Sequence, residues 1–213
     1  DYPAYGDMYH GDRNNKALMG KTHNFENYLT YLHNQVRELM TNYGKIDILW
    51  FDFSYKGHMG EDWHGTELVK LVKSLQPDII MNGRLEANGE NYGSVMTDEP
   101  NVFSGDFASP EMIIPPAGQQ TPSGMDVPWE ACFTLNNNWG YAPNDKQHKN
   151  PRQIIKKLVE CVSKNGNMLL NVSPTAKGDI PQWQQDVLGT LGDWIRDNGD
   201  SIYGCGRSEF PKP

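Results

Sequence analysis

This chain is short of positive charge, of paired cysteines and of long apolar runs. Its 19 lysines and arginines stand against 27 aspartates and glutamates, a formal net charge of -8 at pH 7. A surface of that sign repels polyanions, so the basic footprint of nucleic-acid binding is missing and docking on anionic lipid is disfavoured. The three cysteines, Cys132, Cys161 and Cys205, are far apart and form no Cys-x-x-Cys pair, which argues against a zinc ribbon or a dithiol redox site. Their odd number leaves at least one thiol unpaired, and Cys161, on an apolar helical stripe, reads as buried and inert. No stretch reaches the roughly 18 unbroken apolar residues of a membrane-spanning helix, and residues 1–20 hold no apolar run resembling a signal peptide, so a soluble chain is expected. Neither G-x-G-x-x-G nor G-x-x-x-x-G-K-[ST] occurs, which removes the usual phosphate cradles of nucleotide sites.

What is present is enough to build a core. Of 213 residues 37% are apolar and 11% aromatic, which excludes disorder, collagen and coiled coil. Asn24 caps a helix whose Phe25, Leu29, Leu32, Val36 and Met40 recur at helical spacing until Gly44. Residues 46–53, IDILWFDF, are too short and too apolar for a surface helix and predict a parallel strand covered on both faces. A second helix through Leu68 and Val72 and a second strand at 78–82, DIIMN, follow. Residues 83–127 are rich in Gly, Asn and Pro, with strand candidates only near 94–96 and 101–103; loops of this length in a compact domain are usually functional. A strand at 128–134, a helix opened by Asn150 and Pro151, a strand at 167–172 and a helix through Trp183, Val187, Leu191 and Trp194 complete the chain.

Alternating helices and strands permit an open doubly wound sheet or part of a (β/α)8 barrel. The missing phosphate loop counts against the first. The second requires polar residues at the C-terminal ends of strands, and Asp52, Asn82 with Arg84, Glu130 and Asn171 stand there. Carboxylates mixed with Trp50, Trp63, Trp129 and Trp139 outside helices suit a carbohydrate, which offers C–H faces to rings and hydroxyls to carboxylates. Glycosidic cleavage needs two carboxyl groups. Asp52, rigid on a strand beside Trp50, is the candidate nucleophile, and the acid is expected on a loop reaching over it. His58, Glu61, Asp62 and His64 crowd one loop, but their spacing matches no standard zinc motif, and a substrate-facing or solvated loop is expected.

In order, YGKIDILWFDF, MNGRL, GDFASPE, PWEACFTLNNNWGY, SKNGNMLLNVSPTAKGDIP and LGDWIRDNGDSIYG resemble the blocks of glycoside hydrolase family 29, the α-L-fucosidases. The resemblance implies an α/β chain of the (β/α)8 TIM-barrel type, incomplete, with roughly strands 4 to 8 and their helices. Residues 1–205 would be the C-terminal portion of the catalytic barrel, Asp1 to Tyr9 the loop after the third strand, and 206–213 the start of a linker. It implies a retaining exo-glycosidase that releases terminal α-L-fucose from fucosylated oligosaccharides or glycoconjugates, with Asp52 as nucleophile and Glu111 as acid/base. By the same comparison Arg84 contacts the sugar, Trp50 and Trp139 wall the pocket, with Trp139 facing the sugar's methyl group, and Trp129 with Glu130 support the rim as substrate-binding residues. No metal or organic cofactor is implied, and the family's habit points to a periplasmic or secreted enzyme. The 213 residues alone are expected to be inactive, because an open barrel edge leaves backbone and apolar surface uncovered. Two other readings stay open: a sugar-binding protein without chemistry, and a retaining glycosidase of other sugar specificity.

Overall fold

The computed structural model describes residues 24–88 and 91–210; the expected loop at the first nine positions lies outside them. Helix α1 (Phe25–Asn42) starts where Asn24 Oδ1 accepts the Glu26 amide at 3.0 Å, and it ends before Gly44, whose φ of 80° breaks the helical path. Its buried stripe of Leu29, Val36 and Met40 packs with Leu68, Val69 and Val72 of α2 (Gly65–Leu75) on Ile79 and Met81. Leu68 and Val72 are fully buried, and each contributes about 1.5–3 kcal/mol relative to an exposed position. Strands β1 (Ile48–Leu49) and β2 (Ile80–Met81) pair in parallel beneath these helices.

Only two residues of the expected strand at 46–53 join the ladder. Ile48 and Ile80, partners in register, are 49% and 41% exposed. The expected cover on both faces is therefore present on one face only, since α1 and α2 lie on the side of Ile79 and Met81.

Strands β3 (Glu130–Thr134) and β4 (Asn167–Asn171) pair in parallel over five residues each. Between them in sequence, α3 (Pro151–Ser163) opens with a reciprocal cap: Asn150 Oδ1 accepts the Gln153 amide at 3.0 Å and Gln153 Oε1 accepts the Asn150 amide at 2.8 Å. Helix α4 (Gln182–Asn198) packs Val187 and Leu191 on Ile154 and Leu158 of α3.

The long segment before β3 differs from expectation. Residues 94–96 lie in a 3-10 turn (Gly93–Met96), and 101–103 form no strand. The extended element is 107–111, which bridges the two strand pairs. The Asp106 amide donates to Met81 O at 2.6 Å and the Gly83 amide to Phe107 O at 2.9 Å. On its other side the Glu130 amide donates to Ala108 O, Cys132 to Pro110 O and Met112 to Cys132 O, all within 3.0 Å. Pro110 has no N–H to add a rung, so the ladder is interrupted there and only isolated parallel bridges form. The described strands thus follow one another in chain order, all parallel. Residues beyond α4 stay tied to this body, with the Ser208 amide donating to Ser163 O at 2.8 Å and Arg207 Nη1 to Ala117 O at 2.7 Å. Among the described residues no helix is long and apolar enough to cross a membrane.

Candidate active site

Beyond Leu49 the chain leaves the ladder, and a side chain takes over from the backbone. Asn82, 1% exposed, accepts the Phe51 amide on Oδ1 and donates Nδ2 to Phe51 O, both at 2.8 Å. The amide side chain therefore imitates a β-partner and fixes the peptides on either side of Phe51, immediately before Asp52. Phe53 follows in the left-handed region at φ 71° and turns the chain away. Two residues after Asn82, Arg84 sits in a 3-10 turn (Gly83–Leu85), its carbonyl accepting Ser54 Oγ at 2.6 Å.

The guanidinium of Arg84 is 3% exposed and its donors are distributed over five acceptors. Nε donates to Ser109 Oγ at 2.8 Å, and Nη2 to Ser109 O at 2.9 Å and Cys132 Sγ at 3.6 Å. Nη1 donates to Asp52 Oδ1 at 2.8 Å and to Glu111 Oε2 at 3.2 Å. Its plane lies over the indole of Trp50, 4.4 Å from the ring centroid. A buried cation with fewer partners would be costly. Because one Nη1 serves both carboxylates, their two bonded oxygens lie no more than 6.0 Å apart, the sum of 2.8 and 3.2 Å. Both remain open to solvent, with Asp52 44% and Glu111 36% exposed.

These groups line a cavity of about 810 Å³ with Trp139, Ser54, Tyr55, Leu169 and Asn171. Of the residues singled out in the sequence, Trp50, Asp52, Arg84, Glu111 and Trp139 meet there. Trp139 is 40% exposed, and its carbonyl is held by Asn171 Nδ2 at 2.8 Å. One face of Trp50 is taken by Arg84, so this ring supports the cation as much as it walls the cavity.

Trp129 and Glu130 do not line the cavity. Strand periodicity of two sends Trp129, Ala131 and Phe133 outward into the second core with Cys161, where Trp129 is 1% exposed. Gly166 makes the room: a Cβ there would stand 2.1 Å from the Trp129 ring. Glu130 opens β3 instead of closing it, so it sits below the rim, where its Oε1 accepts Trp50 Nε1 at 3.3 Å. Burial pushes the Glu130 carboxyl above its ordinary value, partly offset by that bond.

Cys132 shares the inward parity with Glu130 and Thr134, a signal readable from the sequence once the strand is placed. It lines the cavity, and burial foremost pushes its thiol up to about 11, so the neutral S–H donates to Pro110 O at 3.6 Å. Cys161, wholly buried, is pushed up to about 12, again chiefly by burial.

The loop with His58 and His64 is a packing element. His58 stacks edge-on against Phe25 and Tyr55, Asp62 Oδ2 accepts the Met59 amide at 3.1 Å, and His64 lies 3.7 Å from Glu26. Among the described residues, no three His, Cys, Asp or Glu side chains converge as a metal site would require.

Comparison with known proteins adds three findings. The family model described as alpha-L-fucosidase matches residues 2–200. Curated relatives include an alpha-L-fucosidase of Dictyostelium discoideum, 28% identical over 180 residues that make up 81% of this chain and 35% of that protein. They also include the tissue alpha-L-fucosidase of Bos taurus, 40% identical over 175 residues, 79% of this chain and 34% of that one. Among solved structures, alpha-L-fucosidase isoenzyme 1 from Paenibacillus thiaminolyticus superposes with a TM-score of 0.92 at 54% identity, covering 100% of this chain and 49% of that chain. A GH29 alpha-L-fucosidase from Bacteroides thetaiotaomicron, trapped as a covalent intermediate with 2-fluoro-fucosyl fluoride, superposes at 0.73 with 28% identity, covering 88% and 44%. The chain thus spans about a third of these curated relatives and about half of the solved chains.

Proposed function

We propose that this chain, which belongs to the α-L-fucosidase family, carries the nucleophile and the acid/base of a retaining exo-glycosidase acting on terminal α-L-fucose. The supporting observation is the shared donor: with both bonded oxygens within 6.0 Å of one another, Asp52 and Glu111 suit the roughly 5 to 5.5 Å separation of retaining enzymes. An inverting pair, at roughly 6.5 to 9.5 Å, leaves space for a water between carboxylate and sugar. Asp52 attacks the anomeric carbon while Glu111 gives its proton to the departing aglycone oxygen. Glu111 then takes a proton from water, whose oxygen displaces Asp52 and releases fucose with retained configuration. Arg84 holds both carboxylates in line, and Trp139 offers a half-exposed ring to the sugar's apolar face.

The activity and its fucosylated substrates belong, in this reading, to a catalytic unit of the relatives' size. We read the parallel segments as consecutive staves of a (β/α)8 barrel, with residues 1–205 its C-terminal portion and 206–213 leading out of it. Consecutive order supports this, because doubly wound sheets reverse direction at a switch point. The exposed Ile48, Ile80 and Leu169 would then face a barrel interior.

The test uses the enzyme containing these residues and a chromogenic α-L-fucoside. Asp52→Gly removes turnover, and azide, a small anion that enters the vacated space, restores part of it. Glu111→Ala slows substrates with poor leaving groups far more than those with good ones. Undiminished turnover in the Asp52 variant overturns the assignment. A wild-type enzyme that binds fucose and turns nothing over favours a sugar-binding protein instead.

A further inference from the structure

We propose that Ser109 is a positioning residue of this reaction, acting through the guanidinium of Arg84 to fix the donor that Asp52 and Glu111 share. The inference rests on the catalytic reading above and adds a residue to it. Ser109 presents two acceptors to one edge of the guanidinium, Oγ to Nε at 2.8 Å and its own carbonyl to Nη2 at 2.9 Å. This is the grip a carboxylate would provide, made by a neutral residue. The neutrality matters, because an acid at 109 would compensate the cation on the edge away from the cavity and leave less charge for Asp52 and Glu111. With that edge held and Trp50 beneath the plane at 4.4 Å, Nη1 has one direction left, toward the two carboxylates.

The connection is also mechanical. Ser109 and Glu111 lie on the same extended segment, fastened to β3 by Ala108 N to Pro128 O, Glu130 N to Ala108 O and Cys132 N to Pro110 O. Arg84 belongs to the chain after β2, and Asp52 to the chain after β1. Ser109 is 3% exposed and outside the cavity lining, so it meets no substrate. Its grip on Arg84 is a link, beside the bonds of Nη1 to Asp52 and Glu111, that registers the strand of the acid/base against the strand of the nucleophile.

In the enzyme containing these residues, Ser109→Ala should lower kcat roughly tenfold to a hundredfold, the loss of one hydrogen bond to a buried charge. KM on a good substrate should move little, because the error lies in how the carboxylates are placed for the transition state. Ser109→Thr, which keeps Oγ, should retain most of the rate. The decisive measurement is a double-mutant cycle with Arg84→Lys, whose ammonium offers no Nε–H to Ser109. In that background Ser109→Ala should cost no further activity. If Ser109→Ala fails to fold, Ser109→Cys preserves volume with a weaker acceptor and should show the kcat loss at an unchanged melting temperature. Wild-type kcat in Ser109→Ala or Ser109→Cys overturns the proposal, as does a cycle in which the two losses multiply. Absence of turnover in the wild-type enzyme overturns the catalytic reading itself, an outcome distinct from these.

Discussion

The two strand pairs reach the candidate site by different means. In β3–β4 five residues pair in register, and segment 107–111, which carries Glu111, is bonded to β3 through the backbone. In β1–β2 only two residues pair, and the chain carrying Asp52 is held beyond Leu49 by the side chain of Asn82 and the guanidinium of Arg84. A backbone ladder survives most substitutions because every residue carries the same donor and acceptor. A ladder continued by individual side chains loses a rung with each one removed, and at Phe51 the rung is Asn82 alone. Asp52 is therefore the more vulnerable of the two carboxylates to changes elsewhere in the chain.

Breaking that rung should give the largest effect. Asn82→Ala deprives the half-buried Phe51 N–H and C=O of both partners, and at ~1–3 kcal/mol for each unsatisfied group the loss is roughly 2–6 kcal/mol. Chemical denaturation of the enzyme should show it as a lower midpoint, with kcat falling about a hundredfold as Asp52 loses its aim, in line with the cost of a small misplacement. An Asn82→Ala enzyme with normal turnover would mean that the two-residue ladder suffices, and the contrast between the pairs would collapse.

On the other side, the vulnerable point is packing. Gly166→Ala drives a Cβ to 2.1 Å from the Trp129 ring, and overpacking of this kind costs about 1–3 kcal/mol. The expected signature differs from the first in kcat: a lowered melting temperature with near-normal kcat on the folded fraction. A large kcat loss in Gly166→Ala would show that the outer core reaches the site.

Much of this was legible in the sequence where one local rule decides the outcome. Asn24 and the Asn150–Pro151–Gln153 cap mark helix starts by side-chain chemistry alone, and α1 keeps its 3.6-residue stripe. The meeting of Asp52, Arg84 and Glu111 follows from the family resemblance of WFDF, NGRL and GDFASPE. Segment 107–111 neither alternates nor runs apolar, and Pro110 argues against a strand; neighbours on both sides impose its extension. Trp129 and Glu130 part company because an adjacent W-E pair on a strand points to opposite faces, which leaves Glu130 behind Trp50 and Trp129 in the outer core. Asn82 and Ser109 carry no sequence signal for their roles, because each is defined by a partner 31 or 25 positions away.

Two carboxylates extend the comparison to pH. Glu86, in the loop after β2, is pushed up by burial, but the Ser94 hydroxyl and amide, Asn101 and Ser104 outweigh this and hold it below its ordinary 4.5. Its folded value is depressed, so its stabilisation is complete above pH 4.5 and is lost as pH falls through the folded value. Glu130, inside the β3 half, is raised by burial, so its contribution is present below pH 4.5 and fades as pH rises through its folded value. Urea midpoints against pH should lose part of their acid-side fall in Glu86→Gln and part of their decline above 4.5 in Glu130→Gln. Identical profiles for both variants and wild type would contradict the opposite signs.

The smallest effect is expected where the second pair touches the rim. Asn171, the last residue of β4, donates Nδ2 to Trp139 O at 2.8 Å across an exposed surface, and a neutral hydrogen bond there contributes about 0.5–1.5 kcal/mol. Asn171→Ala frees the Trp139 loop without touching the β3–β4 ladder, since side-chain loss leaves its backbone rung intact. On a chromogenic α-L-fucoside KM should therefore rise about twofold to tenfold, with kcat and melting temperature close to wild type, because the ring proposed to meet the sugar is loosened while the carboxylates stay in register. A kcat loss larger than the KM change would indicate that Trp139 helps to align the carboxylates, and the backbone-built side of the site would then depend on single side chains as much as the other.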